Sequence, residues 1–144
     1  MDQLETRVRK IMIATNRIDG LYYLWAKSTG LNENTLALLY ALNDGEEHTQ
    51  KQISQEWLIP KTTVNTVVRE CVEKGYVELK PGEHTKEKTI RFTEAGRTYA
   101  QQLLAHLSRV ERTALERTLG QFSSEFVDGL AEFARQMEIA FEQV

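Results

Sequence analysis

Between Thr49 and Thr93 the chain carries three segments whose order leaves few folds open. The first, Thr49-Gln-Lys-Gln-Ile-Ser-Gln-Glu-Trp57, has Gln52 three residues after its opening threonine. That spacing predicts a capping box at a helix N-terminus, with each side chain accepting the other residue's backbone N–H. Leu58-Ile59-Pro60 ends this helix, because a residue before proline is pushed out of the α region. Pro60 suits the first turn of the next helix, where its missing N–H costs nothing. In that second helix Val64, Val67, Val68, Cys71 and Val72 recur at helical spacing and predict one apolar face. Gly75 stops it as a left-handed cap. Tyr76 to Lys80 and Thr89 to Phe92 then alternate apolar and polar, as half-buried strands do, around a turn started by Pro81-Gly82. Helix, tight turn, helix and β-hairpin make a winged helix-turn-helix.

The polar face of the second helix shows Lys61, Thr62, Thr63, Asn65, Thr66 and Arg69, with no acid before Glu70. Hydroxyls and amides suit base edges and phosphates, and arginine suits guanine, so the face has the chemistry to enter a major groove. An isolated helix with this face would be read as merely solvated; the capped helix before it and the hairpin after it reverse that preference. The hairpin tip adds Lys86 and Lys88, and Arg91 follows on the second strand. A basic loop there can lie along phosphates or in a minor groove.

Charge distribution points the same way, though weakly. The 144-residue chain has a net charge of −3. Residues 49–93 hold 8 Lys/Arg against 6 Asp/Glu, while residues 1–48 hold 5 against 7 and residues 94–144 hold 5 against 8. The only positive segment is the one with the DNA-binding pattern. A single cysteine excludes an internal disulfide, and no Cys/His spacing offers a metal cage. No glycine-rich phosphate loop or nucleophile motif appears, so an enzyme is not expected, nor is a cofactor. Glu46-Glu47 reads as a solvated loop pair. The longest apolar run, Leu36 to Leu42, is too short for a membrane span, and the expected location is the cytoplasm.

The flanks are helical and predict a single, mainly α domain over residues 1–144. Its winged helix-turn-helix core covers about 31–93, with terminal helices at about 3–28 and 94–144. Leu4, Val8, Ile11, Thr15, Ile18, Tyr22 and Trp25 step by four and three, a stripe that ends near Gly30. Leu31 to Asn34 begin a second helix rich in leucine. Thr93 is an N-cap candidate for a long helix that breaks at Gly120. Ser123 and Ser124 are cap candidates for the last helix, whose stripe runs Phe122, Phe126, Leu130, Phe133, Met137, Phe141 and Val144. Such stripes on both terminal helices need a surface to cover, either in the same chain or in a second copy.

This architecture resembles the MarR family of transcription regulators over nearly the whole chain. Four segments carry the resemblance: Thr49-Gln-Lys-Gln-Ile-Ser, Lys61-Thr-Thr-Val-Asn-Thr-Val-Val, Glu73-Lys-Gly-Tyr-Val-Glu and Ile90-Arg-Phe-Thr-Glu-Ala-Gly96. The resemblance implies a homodimer built from the first and last helices, binding pseudo-palindromic duplex DNA, with repression relieved by a small ligand or by oxidation. One departure matters. The family's wing carries Asp-x-Arg, and the matching positions here are His84-Thr85-Lys86, which offer no permanent anion and no bidentate fork. Cys71, on the apolar face beside Glu70 and Glu73, is expected to pack rather than to sense oxidants. A pocket for an aromatic or apolar effector is expected from some of Tyr22, Trp25, Tyr40 and Trp57. The competing expectation, from a different class, is a winged-helix module that binds protein without reading DNA.

Overall fold

The computed structural model describes residues 1–144 as six helices and one hairpin: α1 Gln3–Ser28, α2 Glu33–Leu42, α3 Gln50–Trp57, α4 Lys61–Glu73, β1 Val77–Pro81, β2 Lys88–Phe92, α5 Glu94–Leu119 and α6 Glu125–Glu142. This is the expected mainly helical winged helix-turn-helix. The chain divides into two compact units, Met1–Gln102 and Leu103–Val144, with the division inside α5. No helix is long and apolar enough to cross a membrane.

In the first unit, local chemistry sets the helix ends. Asp2 and Glu5 close a capping box on α1, and Thr49 and Gln52 close one on α3. Asn32 caps α2 by accepting the Thr35 N–H at 2.8 Å. The end of α4 is a Schellman turn: Gly75 sits at φ +78°, its N–H reaches the Val72 carbonyl, and the Tyr76 N–H reaches Cys71.

The tight turn between α3 and α4 departs from expectation in two ways. Leu58 itself ends α3, in the left-handed region at φ 49°, so the helix stops before the pre-proline restriction on Ile59 acts. Pro60 lies one position earlier than expected, at the N-cap with ψ 139°, and α4 begins at Lys61. Leucine in the left-handed region costs about 1–2 kcal/mol. Local bonds offset this, with the Ser54 hydroxyl donating to the Ile59 carbonyl at 2.6 Å and the Ile59 N–H returning to the Ser54 carbonyl at 3.1 Å.

A single core joins these parts. Leu38 and Leu42 of α2, Ile53 of α3, Val64, Val67, Val68 and Cys71 of α4, Val77 of β1 and Ile90 of β2 are buried together. Val72, expected on that face, is instead 41% exposed, because it lies past Cys71 around the helix and turns away from the core. The strands pair antiparallel, with Leu79 opposite Ile90. Their alternation is imperfect. Thr89 is fully buried, its hydroxyl donating to the Lys80 carbonyl and accepting from Arg91 Nε, while Leu79 is left partly exposed. His48, just before α3, adds a bridge on the other side of β2, where the Ile90 N–H donates to its carbonyl at 2.8 Å.

The hairpin closes where β2 runs into α5. The Thr93 N–H donates to the Tyr76 carbonyl at 3.1 Å, its hydroxyl donates to the Gly75 carbonyl at 2.6 Å, and the same oxygen caps α5 by accepting the Gly96 N–H at 3.0 Å. Tyr76 and Tyr99 stack in parallel with ring centroids 4.4 Å apart. A Cβ on Gly96 would fall 1.7 Å from the Tyr76 carbonyl oxygen, a backbone atom that cannot rotate away.

In the second unit, α5 runs to Leu119 and turns at Gly120 and Gln121, as the glycine suggests. Ser124 is the N-cap of α6 but makes no side-chain bond; the nearest help is the Ser123 hydroxyl, which accepts the Glu125 N–H at 3.1 Å. No residue of α6 is buried. Phe126 and Leu130 are exposed, and Phe133 and Met137 are half-buried.

Gly96→Ala should therefore lower stability by about 1–3 kcal/mol or more through overpacking against backbone. The measurement is the urea midpoint at fixed protein concentration, and an unchanged midpoint would show that the junction can yield.

Candidate nucleic-acid interface

Helix α4 is held by its buried valines and by Cys71, and this places Lys61, Thr62, Asn65, Thr66 and Arg69 on the exposed side. Thr63 is half-buried. Because Pro60 offers no side-chain cap, the first N–H groups of α4 have no side-chain acceptor, and the positive end of the helix is open to an anion. The side chains of Lys61, Asn65 and Arg69 make no hydrogen bond or ion pair. Thr66 differs, since its hydroxyl donates to the Thr62 carbonyl at 3.0 Å. It keeps an acceptor oxygen and a methyl group for a ligand, but its proton is committed. Thr62, Thr63 and Thr66 also border a polar cleft of about 270 Å³ against Asn32 and Asn34 at the start of α2.

In the wing, Lys86 and Lys88 are exposed and unpaired, and Lys80 pairs only with exposed Glu78 at 3.1 Å. Arg91 is different. Its guanidinium lies between Glu47 Oε1 at 3.7 Å and Glu83 Oε1 at 3.8 Å, and its Nε donates to the Thr89 hydroxyl at 3.2 Å. Glu47 also accepts the backbone N–H of Glu83 at 2.7 Å. A carboxylate from the loop before α3 thus fastens the wing turn, and Glu47 is not the solvated residue its sequence context suggests. Nearby, buried His48 pairs through Nε2 with Asp44 at 2.7 Å. Burial works against the Asp44 carboxylate, but hydrogen bonds from His48 and from the Glu46 N–H outweigh it and hold the group below its ordinary range.

The aromatic residues singled out in the sequence divide. Tyr22, Tyr40 and Trp57 line a cavity of about 400 Å³, together with Asp19, Glu33 and Ile59, and Trp25 is not part of its lining. Tyr40 and Trp57 meet edge to face at 5.7 Å.

Comparison with known proteins bears on the geometry above. The MarR family model, MarR_2, matches residues 29–86, which span α2, the helix-turn-helix, β1 and the wing turn but not β2. Residues 29–86 are thus similar in sequence to the MarR family. A MarR family regulator from Neisseria meningitidis superposes with a TM-score of 0.72 at 26% identity, covering 99% of each chain. A MarR/EmrR family transcriptional regulator from Acinetobacter sp. ADP1 gives 0.68 at 18% identity over 100% of both chains, and BldR, a transcriptional regulator from Sulfolobus solfataricus, gives 0.69 at 14% over 94% and 99%. At those lower identities the likeness is one of fold. No curated protein matches the sequence.

The wing turn, which carries His84-Thr85-Lys86, is held by an acid from outside the hairpin, Glu47. Cys71 is 1% exposed, and burial pushes its thiol pKa up, opposed by Lys74 and reinforced by Glu70. That setting favours the thiol over a reactive thiolate.

Glu47→Ala should loosen the wing turn without disturbing the core. Loss of one hydrogen bond of about 1 kcal/mol corresponds to several-fold faster amide exchange at Glu83 and its neighbours, with Val68 unchanged. Unaltered exchange at Glu83 would mean that the carboxylate does not hold the turn.

Proposed function

We propose that the chain is a homodimeric transcription regulator that binds pseudo-palindromic duplex DNA, acts as a repressor and is released by a small aromatic or apolar ligand. The observation that carries this reading is the outer face of α4, where unpaired Lys61, Asn65 and Arg69 stand beside an uncapped helix N-terminus. The MarR-family match and the solved regulators of the same fold support it. A DNA target places the protein in the cytoplasm.

In this reading residues 1–144 work as one regulatory domain, and Lys61, Thr62, Thr63, Asn65, Thr66 and Arg69 meet the major groove. Two copies set their α4 helices about 34–36 Å apart, one turn of DNA. Lys86 and Lys88 follow the phosphates. Arg91, already set between two carboxylates, contributes mainly by holding the wing. Release is assigned to a ligand because Cys71 is buried as a thiol.

The division of labour on DNA is testable with a panel of single-base operator variants, the operator first being selected from random duplexes. Asn65→Ala and Thr66→Ala should relax preference at particular positions by about 1–3 kcal/mol each, whereas Lys86→Ala should weaken all sequences alike and lower the salt slope by about one. If Lys86→Ala reshapes the preference profile and Asn65→Ala does not, the wing is the reader. Duplex binding without salt dependence would favour a protein-binding module.

The dimer rests on apolar stripes that a single chain leaves uncovered. Leu4 and Ile18 of α1 and Phe126, Leu130 and Phe141 of α6 are all exposed. Covering one phenylalanine contributes about 1.5–3 kcal/mol, so Phe126→Ala with Phe133→Ala should shift sedimentation toward monomer at low concentration. A double variant that remains dimeric there would remove α6 from the interface.

A further inference from the structure

The cavity between α1, α2 and the turn after α3 has a charge that an apolar pocket does not need. Its floor includes Leu36, only 3% exposed, and its walls are the rings of Tyr22, Tyr40 and Trp57. Asn34, Ala37 and Ile59 also line it, and so do Asp19 on α1 and Glu33 on α2, both exposed with no salt-bridge partner. No lysine, arginine or histidine lines it. The edge-to-face contact of Tyr40 with Trp57 fixes the two rings relative to each other.

Three features act in one direction. Aromatic faces are electron-rich and attract a cation within about 6 Å of the ring centroid. Two uncompensated carboxylates add attraction for a cation and repulsion for an anion. The apolar floor and a volume of about 400 Å³ suit a planar body of drug-like size. An aromatic carboxylate would satisfy the floor but meet two like charges and the negative faces of three rings. An aliphatic amine would satisfy the charge but leave the floor unfilled.

We propose that this cavity takes a small aromatic cation, a planar ring system carrying a quaternary or protonated nitrogen. The proposal deepens the effector reading above and rests on it for its regulatory meaning, but the binding preference can be measured on the protein alone. Recognition uses the ring faces of Trp57 and the tyrosines, with Asp19 and Glu33 as the counter-charge at the mouth.

The test is isothermal titration of the DNA-free protein with two probes of the same bicyclic size and opposite charge, N-methylquinolinium and quinoline-2-carboxylate. The cation should bind about tenfold or more tighter, and added salt should narrow the gap. Asp19→Asn with Glu33→Gln should remove most of that preference; both side chains are exposed, so the fold is not at risk. Trp57→Leu should weaken the cation several-fold while leaving the carboxylate little changed. Equal or tighter binding of the carboxylate, no binding of the cation at millimolar concentration, or a preference that survives the double substitution would each overturn the proposal. Adding operator duplex separates the two readings: a cation that binds without releasing DNA leaves the site intact and removes only its regulatory role.

Discussion

The winged-helix unit depends on one close approach, that of Gly96 to the carbonyl of Tyr76. Around it the chain makes four hydrogen bonds through Thr93 alone, to Gly75, to Tyr76, and from Gly96 and Arg97. The consequence is geometric. The same few residues end α4, start β1, receive β2 and begin α5, so α4 and the first turns of α5 share one fixed point. A side chain at position 96 would separate the backbones and free the hairpin to swing. Stacking of Tyr76 on Tyr99 seals that point from outside. Neither ring alone could impose the geometry, because aromatic pairs tolerate offsets that a glycine–carbonyl contact does not.

Fastening the wing also redistributes charge. Arg91 could have been one of the basic groups facing a nucleic acid, but Glu47 and Glu83 compensate it in place. Among the basic groups left unpaired in the winged helix are Lys61 and Arg69 on α4 and Lys86 and Lys88 on the wing. For a chain with net charge −3, that local concentration matters more than the total. The exposed Lys80–Glu78 pair adds little, since surface ion pairs contribute about 0–1 kcal/mol.

What was legible in the sequence was chemistry acting over three or four residues. The Thr49/Gln52 box, Gly75 and Gly120 as stops and the valine face of α4 are all local rules. What was not legible required knowing which distant segments meet. Glu47 reaches Glu83 across 36 positions, and nothing in Glu46-Glu47 distinguishes the residue that turns inward from the one that does not. Thr89 looked like a polar strand residue facing water, but its hydroxyl finds the Lys80 carbonyl across the hairpin and so tolerates full burial. Leu58 in the left-handed region defeats propensity altogether, since a glycine or asparagine would be expected there. Of the four aromatics named from sequence, helical spacing could not separate Trp25, which is outside the cavity lining, from the three that share it.

Leu58 also suggests how a ligand in that cavity would be felt at α4. The strained residue is 77% exposed and sits between Trp57 and Ile59, both in the cavity lining, and Pro60 and α4 follow at once. A ligand can shift an equilibrium only by the difference in its affinity for the two states. The state seen is the turn with Leu58 left-handed; the state a ligand would have to favour is a turn with that strain relieved. The first keeps the Ser54–Ile59 bonds and sets where α4 begins. The second would have to give them up while changing the position of two wall residues, Trp57 and Ile59. Strain of about 1–2 kcal/mol against two hydrogen bonds of about 1 kcal/mol each leaves the states close in energy. A ligand that discriminates between the two wall arrangements by a similar amount would therefore be enough to re-aim the first turn of α4, where Lys61 and Thr62 lie.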